Sequence, residues 1–486
     1  MKSAPSHAQE RSMTQVHKPP AAADTPAQGK DAMGLSEVGM HAWEKQIAAG
    51  KAIRTNLART DQGHWEPPAD RPDPIDLLGE SNRGRRADLI PIRYGRMLSS
   101  PLAFLRGAAS LMASDLGSAP TTGIEVQVCG DCHLMNFGGY ATPERNLLFD
   151  VNDFDETFRA PWEWDLKRLV TSFVLAGRSN RINEEESQLA AIACARSYRQ
   201  HLRNYSRRTP LEVWYERLGM DRLSEMVPDL TSKKQRAKLA SFSHKHLVAH
   251  HFPNIITTAA GSPRFVDQPP LFFHIEDEEE QRRLLEAIED YHASLPEDRR
   301  FLLSRYRLVD VAVKVVGVGS VGTHCYVALF VSELDDVLIL QVKEARHSVL
   351  EPYCHQALCD NQGQRVVMGQ RLMQSASDLF LSWARSRHGL DFYVRQLRDM
   401  KFSIPVEGFT AVQLHRYGQA CGWALARAHA KGGDAGRISG YLGKGDVFDQ
   451  AMGFFARAYA DQTERDHEAL QKAVHSGRAQ AIKEAN

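Results

Sequence analysis

The stretch "VDVAVKVVGVGSVGTHCYVALFV", residues 309–331, decides how this chain is to be read. Gly317, Gly319 and Gly322 make the spacing G-x-G-x-x-G, with Ser320 inside it. A dinucleotide-binding fold needs strand, glycines, then helix, with an acid about 20 residues later. Here valines and other β-branched or aromatic residues stand on both sides, and "THCYVALFV" carries no helical period. The glycines therefore join two strands. Such a hairpin can close its backbone over phosphates, and a plain hairpin turn is the simpler alternative.

Working outward, "DVLILQVKEA" at 336–345 is a further strand, and Lys343 lies in it. A lysine on the strand after a glycine hairpin can reach the α and β phosphates of a nucleotide. Upstream, "GIEVQVCGDCH" alternates Ile124, Val126 and Val128 with polar neighbours, which predicts a strand running into the loop that holds Asp131 and His133. Asp131 and Asn136 have the spacing D-x-x-x-x-N. Asp153 and Asp155 follow in "NDFD", after a second short strand in "NLLFDVNDFDE". Phosphoryl transfer needs a carboxylate to orient the attacking hydroxyl, and an Asn and an Asp to hold Mg²⁺ against nucleotide phosphates. Asp, Asn and Gly are also ordinary turn residues. Agreement among several positions favours the chemical reading.

The chain of 486 residues is long enough for two to three domain-sized units. We divide it into a disordered tail and short helix (1–70), a helical lobe carrying the Asp131 loop (71–300), a β-rich lobe carrying the glycines and Lys343 (301–405), and closing helices (406–486). "EPPADRPDPIDLLGESN", with four prolines, reads as a linker. "DLFLSW" and "DFYVRQL" read as additional strands, whereas "WEWDLKRLVTSFVLAGRS", "DEEEQRRLLEAIEDYHASL" and "GFTAVQLHRYGQACGWALARAHAKGGD" are helical in pattern. The expected class is α+β.

Composition excludes several roles. With 60 basic and 60 acidic residues the formal charge is zero, so nothing draws the whole chain to nucleic acid or to an anionic membrane. No run approaches the roughly 18 apolar residues of a membrane span. The first thirty residues lack a signal peptide's apolar core, and seven scattered cysteines fit free thiols, so a cytoplasmic protein is expected.

"GDCHLMN", "NDFDE" and "APWEWDLKRLV" resemble the G-D-x-H-x-x-N, D-F-D and D-L segments of aminoglycoside phosphotransferases and choline-kinase-like enzymes. The resemblance implies a protein-kinase-like two-lobed fold that uses ATP and Mg²⁺ and phosphorylates an unknown hydroxyl acceptor. It implies Asp131 as catalytic base, His133 as a shaper of the catalytic loop, Asp165 as its brace, and Asn136 and Asp153 as metal ligands, with Asp155 available to a second ion. In the kinase pattern Gly317, Gly319, Ser320 and Gly322 cover the nucleotide and Lys343 binds its phosphates. Kinases place those elements before the catalytic loop, so the lobes would be permuted in sequence. Glu351 is the available acidic partner for Lys343. Separately, segments such as "RMLSSPLAFLRGAA", "GVGSVGT", "GQRLMQ", "FYVRQLRDMK" and "YADQTERD" resemble an uncharacterised bacterial family known only by a domain-of-unknown-function label, over nearly the whole chain from about residue 70.

Other constellations carry rival readings. Cys129 and Cys132 form C-x-x-C, for which only Cys354 and Cys359 offer a second pair, so a metal or redox role is the lesser reading. His246 and His250 share a helix face without an accompanying acid and read as a solvated basic helix. "GDCH" with "GDVFD" (Asp446, Asp449) sketches a two-metal phosphoesterase whose remaining ligands are missing. A nucleotide-binding pseudokinase and a scaffold recruiting a partner through its tail complete the alternatives.

Overall fold

The computed structural model describes residues 37–228, 255–259, 262–315, 317–354, 359–397 and 402–482. The expectations for the tail's first residues and for His246 and His250 lie outside these. The class is α+β: a helical body and a six-stranded antiparallel sheet. No described helix is long and apolar enough to cross a membrane.

The body is built on four helices, Trp162–Ser179, Glu184–Tyr205, Ala411–Gly432 and Val447–His475, which bury Trp162, Leu169, Tyr198, Tyr417, Leu425 and Phe455 in one core. The pairing of Glu184–Tyr205 with Ala411–Gly432 is unusually close because Gly418 and Gly422 present no side chain to it. A methyl at Gly418 would lie 2.8 Å from the Ala190 carbonyl oxygen, and one at Gly422 would overlap that of Cys194. The Glu37–Ala52 helix packs on Ala435–Leu442, where Gly440 meets the Ile47 backbone in the same manner.

The sheet runs in the spatial order Ser382–Arg385, Asp391–Gln396, Val337–Glu344, Cys325–Ser332, Tyr306–Lys314, Phe272–Phe273. Its two-residue period sorts the side chains. Leu338, Leu340, Val342, Phe392 and Val394 face the Glu278–Ser294 helix through Leu284, Ala287 and Tyr291. The intervening residues Gln341, Lys343, Tyr393 and Arg395 therefore point to the other face. There the antiparallel register sets Lys343 opposite Tyr393 and Gln341 opposite Arg395.

Several local expectations need correction. The proline-rich linker contains a helix, Pro74–Ser81: Asp73 accepts the amides of Ile75 (2.8 Å) and Asp76 (3.1 Å), and proline at the first position costs the helix no hydrogen bond. The β-rich stretch holds a helix as well, Gln362–Met373, capped by Asn361. The strand expected in "DLFLSW" begins only at Ser382, because Asp378 turns the chain by accepting the Phe380 amide at 2.7 Å. Two-residue strand Phe272–Phe273 extends the sheet from a region expected to be helical.

Replacing Gly422 by Ala forces the two central helices apart, and overpacking of this kind costs about 2 kcal/mol. Urea denaturation should show a lower midpoint for Gly422→Ala, whereas the exposed Gly389→Asn should stay close to wild type.

Candidate functional site

One face of the Trp162–Ser179 helix grips the Asp131 loop with residues three and four apart. Asp165 accepts the backbone amides of Cys129 (2.8 Å) and Gly130 (2.9 Å). Arg168 donates to Asp131 Oδ1 from Nε at 2.7 Å and hands a second bond to the Leu105 carbonyl. Ser172 Oγ accepts the Leu134 amide at 2.9 Å. These spacings place all three side chains on a single helical stripe. Asp165 is itself oriented by His429 (3.2 Å), whose other ring nitrogen meets Tyr198. Gly130 has φ +84°, and a side chain there would collide with the Glu156 carbonyl, so glycine is required on both counts.

The second half of the site follows from a hairpin register. Strands Phe137–Ala141 and Leu147–Val151 pair Phe137 with Val151, so Asn136 and residues 152–153 leave the sheet at the same end. The Asn152 amide donates to the Asn136 carbonyl at 2.8 Å. Asn136 spends its amide nitrogen on the Asp131 carbonyl (2.7 Å), which leaves the side-chain oxygen as its ligand atom. Asp153 lines the cavity beside it. An Asn oxygen and a carboxylate lining one space suit a hard divalent cation.

Lys343 reaches this segment from the sheet. Its ammonium contacts Asp155 Oδ2, which also accepts from Ser320 Oγ at 3.1 Å, while Tyr393 donates to Oδ1 at 2.6 Å. Burial alone would raise the Asp155 carboxyl, but the lysine charge and these bonds hold it down at about 2. Lys343, 2% exposed, is in turn held above its ordinary value: burial opposes the charge, and Asp155 more than offsets that. Asp155 is thus the acidic partner of Lys343. Glu351 instead binds His347 at 2.7 Å, four residues away in its own segment, which removes it from that role. With both oxygens engaged, Asp155 serves in this arrangement as a counter-ion rather than as an open metal ligand.

Asp131, His133, Asn136, Asp153, Asp155, Gly317, Gly319, Ser320 and Lys343 all line one cavity of about 360 Å³. Gly322 does not reach it; with φ +85° it makes the turn, and its carbonyl accepts the Arg86 amide at 2.7 Å. His133 is fully buried, its Nε2 3.7 Å from Asp131 Oδ2 and its Nδ1 without a partner. Burial pushes its pKa down to about 3, which keeps it neutral beside Arg106 and Arg168. The glycine turn, Val318–Ser320, rests on the Pro101–Gly107 helix through Val318, which joins the apolar cluster of Met97, Phe104 and Leu111.

Residues that the sequence reading passed over complete the walls: Arg85, Arg93, Arg106, Arg346 and Arg395 line the same cavity. Arg168 is signalled by its position one turn beyond Asp165 on the same helical face. The others carry no motif. Arg365, on the Gln362–Met373 helix, ties the sheet to the loop by donating to the carbonyls of Asp155 (2.9 Å) and Arg346 (2.8 Å).

The rival constellations are placed elsewhere. Asp449 is buried against Arg199 at 2.7 Å, and neither it nor Asp446 lines the cavity. Cys129, Cys132 and Asp165 lie within 4.8 Å of one another, and among the described residues no fourth ligand joins them. Burial raises both thiols, Cys132 to about 11, and the Asp165 oxygens are already committed to backbone amides. This is a poor thiolate site.

No curated protein and no solved structure matches this chain. A family model described as "Uncharacterized protein conserved in bacteria (DUF2252)" matches residues 85–473, which span the Asp131 loop, the glycine turn, Lys343, three of the central helices and all but the last two residues of the fourth. The chain belongs to that bacterial DUF2252 family.

Proposed function

We propose that this chain is a Mg²⁺- and ATP-dependent phosphotransferase with a kinase-like two-lobed arrangement, its lobes permuted in sequence, acting on a hydroxyl acceptor. The observation that carries this reading is the meeting of Lys343 with the D-F-D segment, 188 residues earlier in the chain, at the wall of the cavity that Asp131 and Asn136 also line. A turn motif or a strand lysine alone is weak; their convergence on one small-molecule-sized space is much less easily met by chance.

In this reading Asn136 and Asp153 hold the metal. Mg²⁺ supplies neutralisation of the charge on the phosphoryl oxygens. Lys343, pre-aligned by Asp155 and Tyr393, binds nucleotide phosphates, and the Gly317–Ser320 turn covers them. Asp131 accepts the proton of the acceptor hydroxyl as its oxygen attacks the γ-phosphorus; the bond to the bridging oxygen breaks and ADP leaves. Arg168 occupies Oδ1 of Asp131, so Oδ2 is the oxygen that receives the proton. Buried, neutral His133, 3.7 Å from that oxygen, does not compete for the role.

A second reading, nucleotide binding without transfer, draws on the same Arg168 contact, since that guanidinium already occupies one of the two carboxylate oxygens. Turnover separates the two.

Asp153→Asn should abolish the Mg²⁺-dependent part of the thermal stabilisation by ATP while leaving the metal-free melting temperature within a degree or so of wild type. Unchanged Mg²⁺-dependent stabilisation would remove Asp153 from the metal site. Asp131→Asn should keep nucleotide binding and lower turnover by about 10²-fold or more, the usual scale for a positioned base. Turnover at the wild-type rate in that variant would refute the base assignment.

A further inference from the structure

The carboxylates at the centre of the cavity are matched by cations: Asp131 by Arg168, Asp155 by Lys343. The wall beyond them is different. Among the described residues, Arg85 donates only to the carbonyls of Ser81 (3.0 Å) and Val321 (2.7 Å), and Arg346 only to those of Ser81 and Arg83. Arg93, 2% exposed, bonds the Gly107 carbonyl at 2.7 Å and the side-chain oxygen of Asn82, and its Nε is buried without a partner. Arg106 has a buried Nε without a partner, and among the described residues no carboxylate pairs with any of these four.

Glu156 and Glu344 stand nearby but are spoken for. Glu156 accepts the Val349 amide at 2.8 Å and makes no direct contact with the four arginines. Glu344 accepts the amide and ring of His324. Burial depresses the guanidinium of Arg93 to about 10, and Arg85 and Arg346 add like-charge repulsion. Glu156 and Glu344 act on these arginines, and Asp131 and Asp153 on Arg106, only at a distance, so buried N–H donors are left open that an oxyanion can fill.

We propose that Arg85, Arg93, Arg106 and Arg346 form a second oxyanion subsite, separate from the nucleotide's, that binds a phosphate group carried by the acceptor. The acceptor class is then a hydroxyl compound that already bears a phosphate ester. This last step rests on the phosphotransferase reading; the anion subsite itself does not.

The test uses the full chain and inorganic phosphate as probe, with sodium chloride of equal ionic strength as control and both calorimetry and thermal melting as readouts. Wild type should bind phosphate and melt higher in it. Arg106→Gln, which gives up no hydrogen bond, and Arg346→Ala should each weaken phosphate binding about tenfold or more. Phosphate affinity in both variants equal to wild type would overturn the subsite. Phosphate should also still bind in saturating Mg²⁺ and a non-hydrolysable ATP analogue. Loss of phosphate binding there would assign the arginines to the nucleotide and overturn a separate subsite while leaving the phosphotransferase reading intact. Phosphate binding with no nucleotide binding would support the subsite and refute the phosphotransferase reading instead.

Discussion

A buried lysine is tolerable only where an opposite charge is fixed against it, and the contact between Lys343 and Asp155 meets that condition. It brings together two parts of the chain that share no sequence neighbourhood: the polar face of the six-stranded sheet and the segment that follows the Leu147–Val151 strand. Such a pair adds little net stability, since desolvation opposes most of the attraction. Removing one partner, however, costs several kcal/mol, because the other is left charged and buried. Its effect is therefore on position. Tyr393 binds the second carboxylate oxygen, and Arg365 holds the backbone carbonyl of the same residue, so Asp155 is located from three directions.

This arrangement explains what could be read from the sequence. The glycines, Lys343, Asp131, Asn136 and Asp153 were visible because each belongs to a short pattern with a fixed spacing. The partner of Lys343 was not visible. Within its own neighbourhood Glu351 was the available acid, whereas the actual partner comes from a loop folded against it by tertiary structure. The arginines of the cavity wall were hidden for a different reason. Arginine is ordinarily a surface residue, and no local period distinguishes Arg93, at 2% exposure, from one in solvent. The helices Pro74–Ser81 and Gln362–Met373 were obscured by prolines and glycines that normally interrupt helices but here start one or lie within one.

The Asp131 loop shows how much support a short segment without regular structure receives. Displacement by about an ångström can cost orders of magnitude in a positioned reaction. Between Cys129 and Asn136 the backbone amides are held by Asp165 and Ser172, the Asp131 carbonyl by Asn136, and the Asp131 carboxylate by Arg168. Asp165, Arg168 and Ser172 come from one rigid helix. The loop is in effect a moulding of that helix's surface, and the neighbouring cysteines fill the space beneath it.

The glycine turn meets this loop from the opposite side, and its glycines do not serve alike. Gly322 has φ +85° and is needed for the path of the backbone. Gly319 has no such requirement. A Cβ there would lie 3.4 Å from the Arg106 carbonyl and 4.0 Å from Asp131 Oδ2, so any larger side chain would fill the space beside the one carboxylate oxygen that Arg168 leaves uncovered. Glycine at 319 is thus explained by room at the carboxylate, whereas a plain hairpin turn would place no such demand on that position. The spacing that reads as a turn signal is, at this residue, also a place where the turn approaches the Asp131 carboxylate.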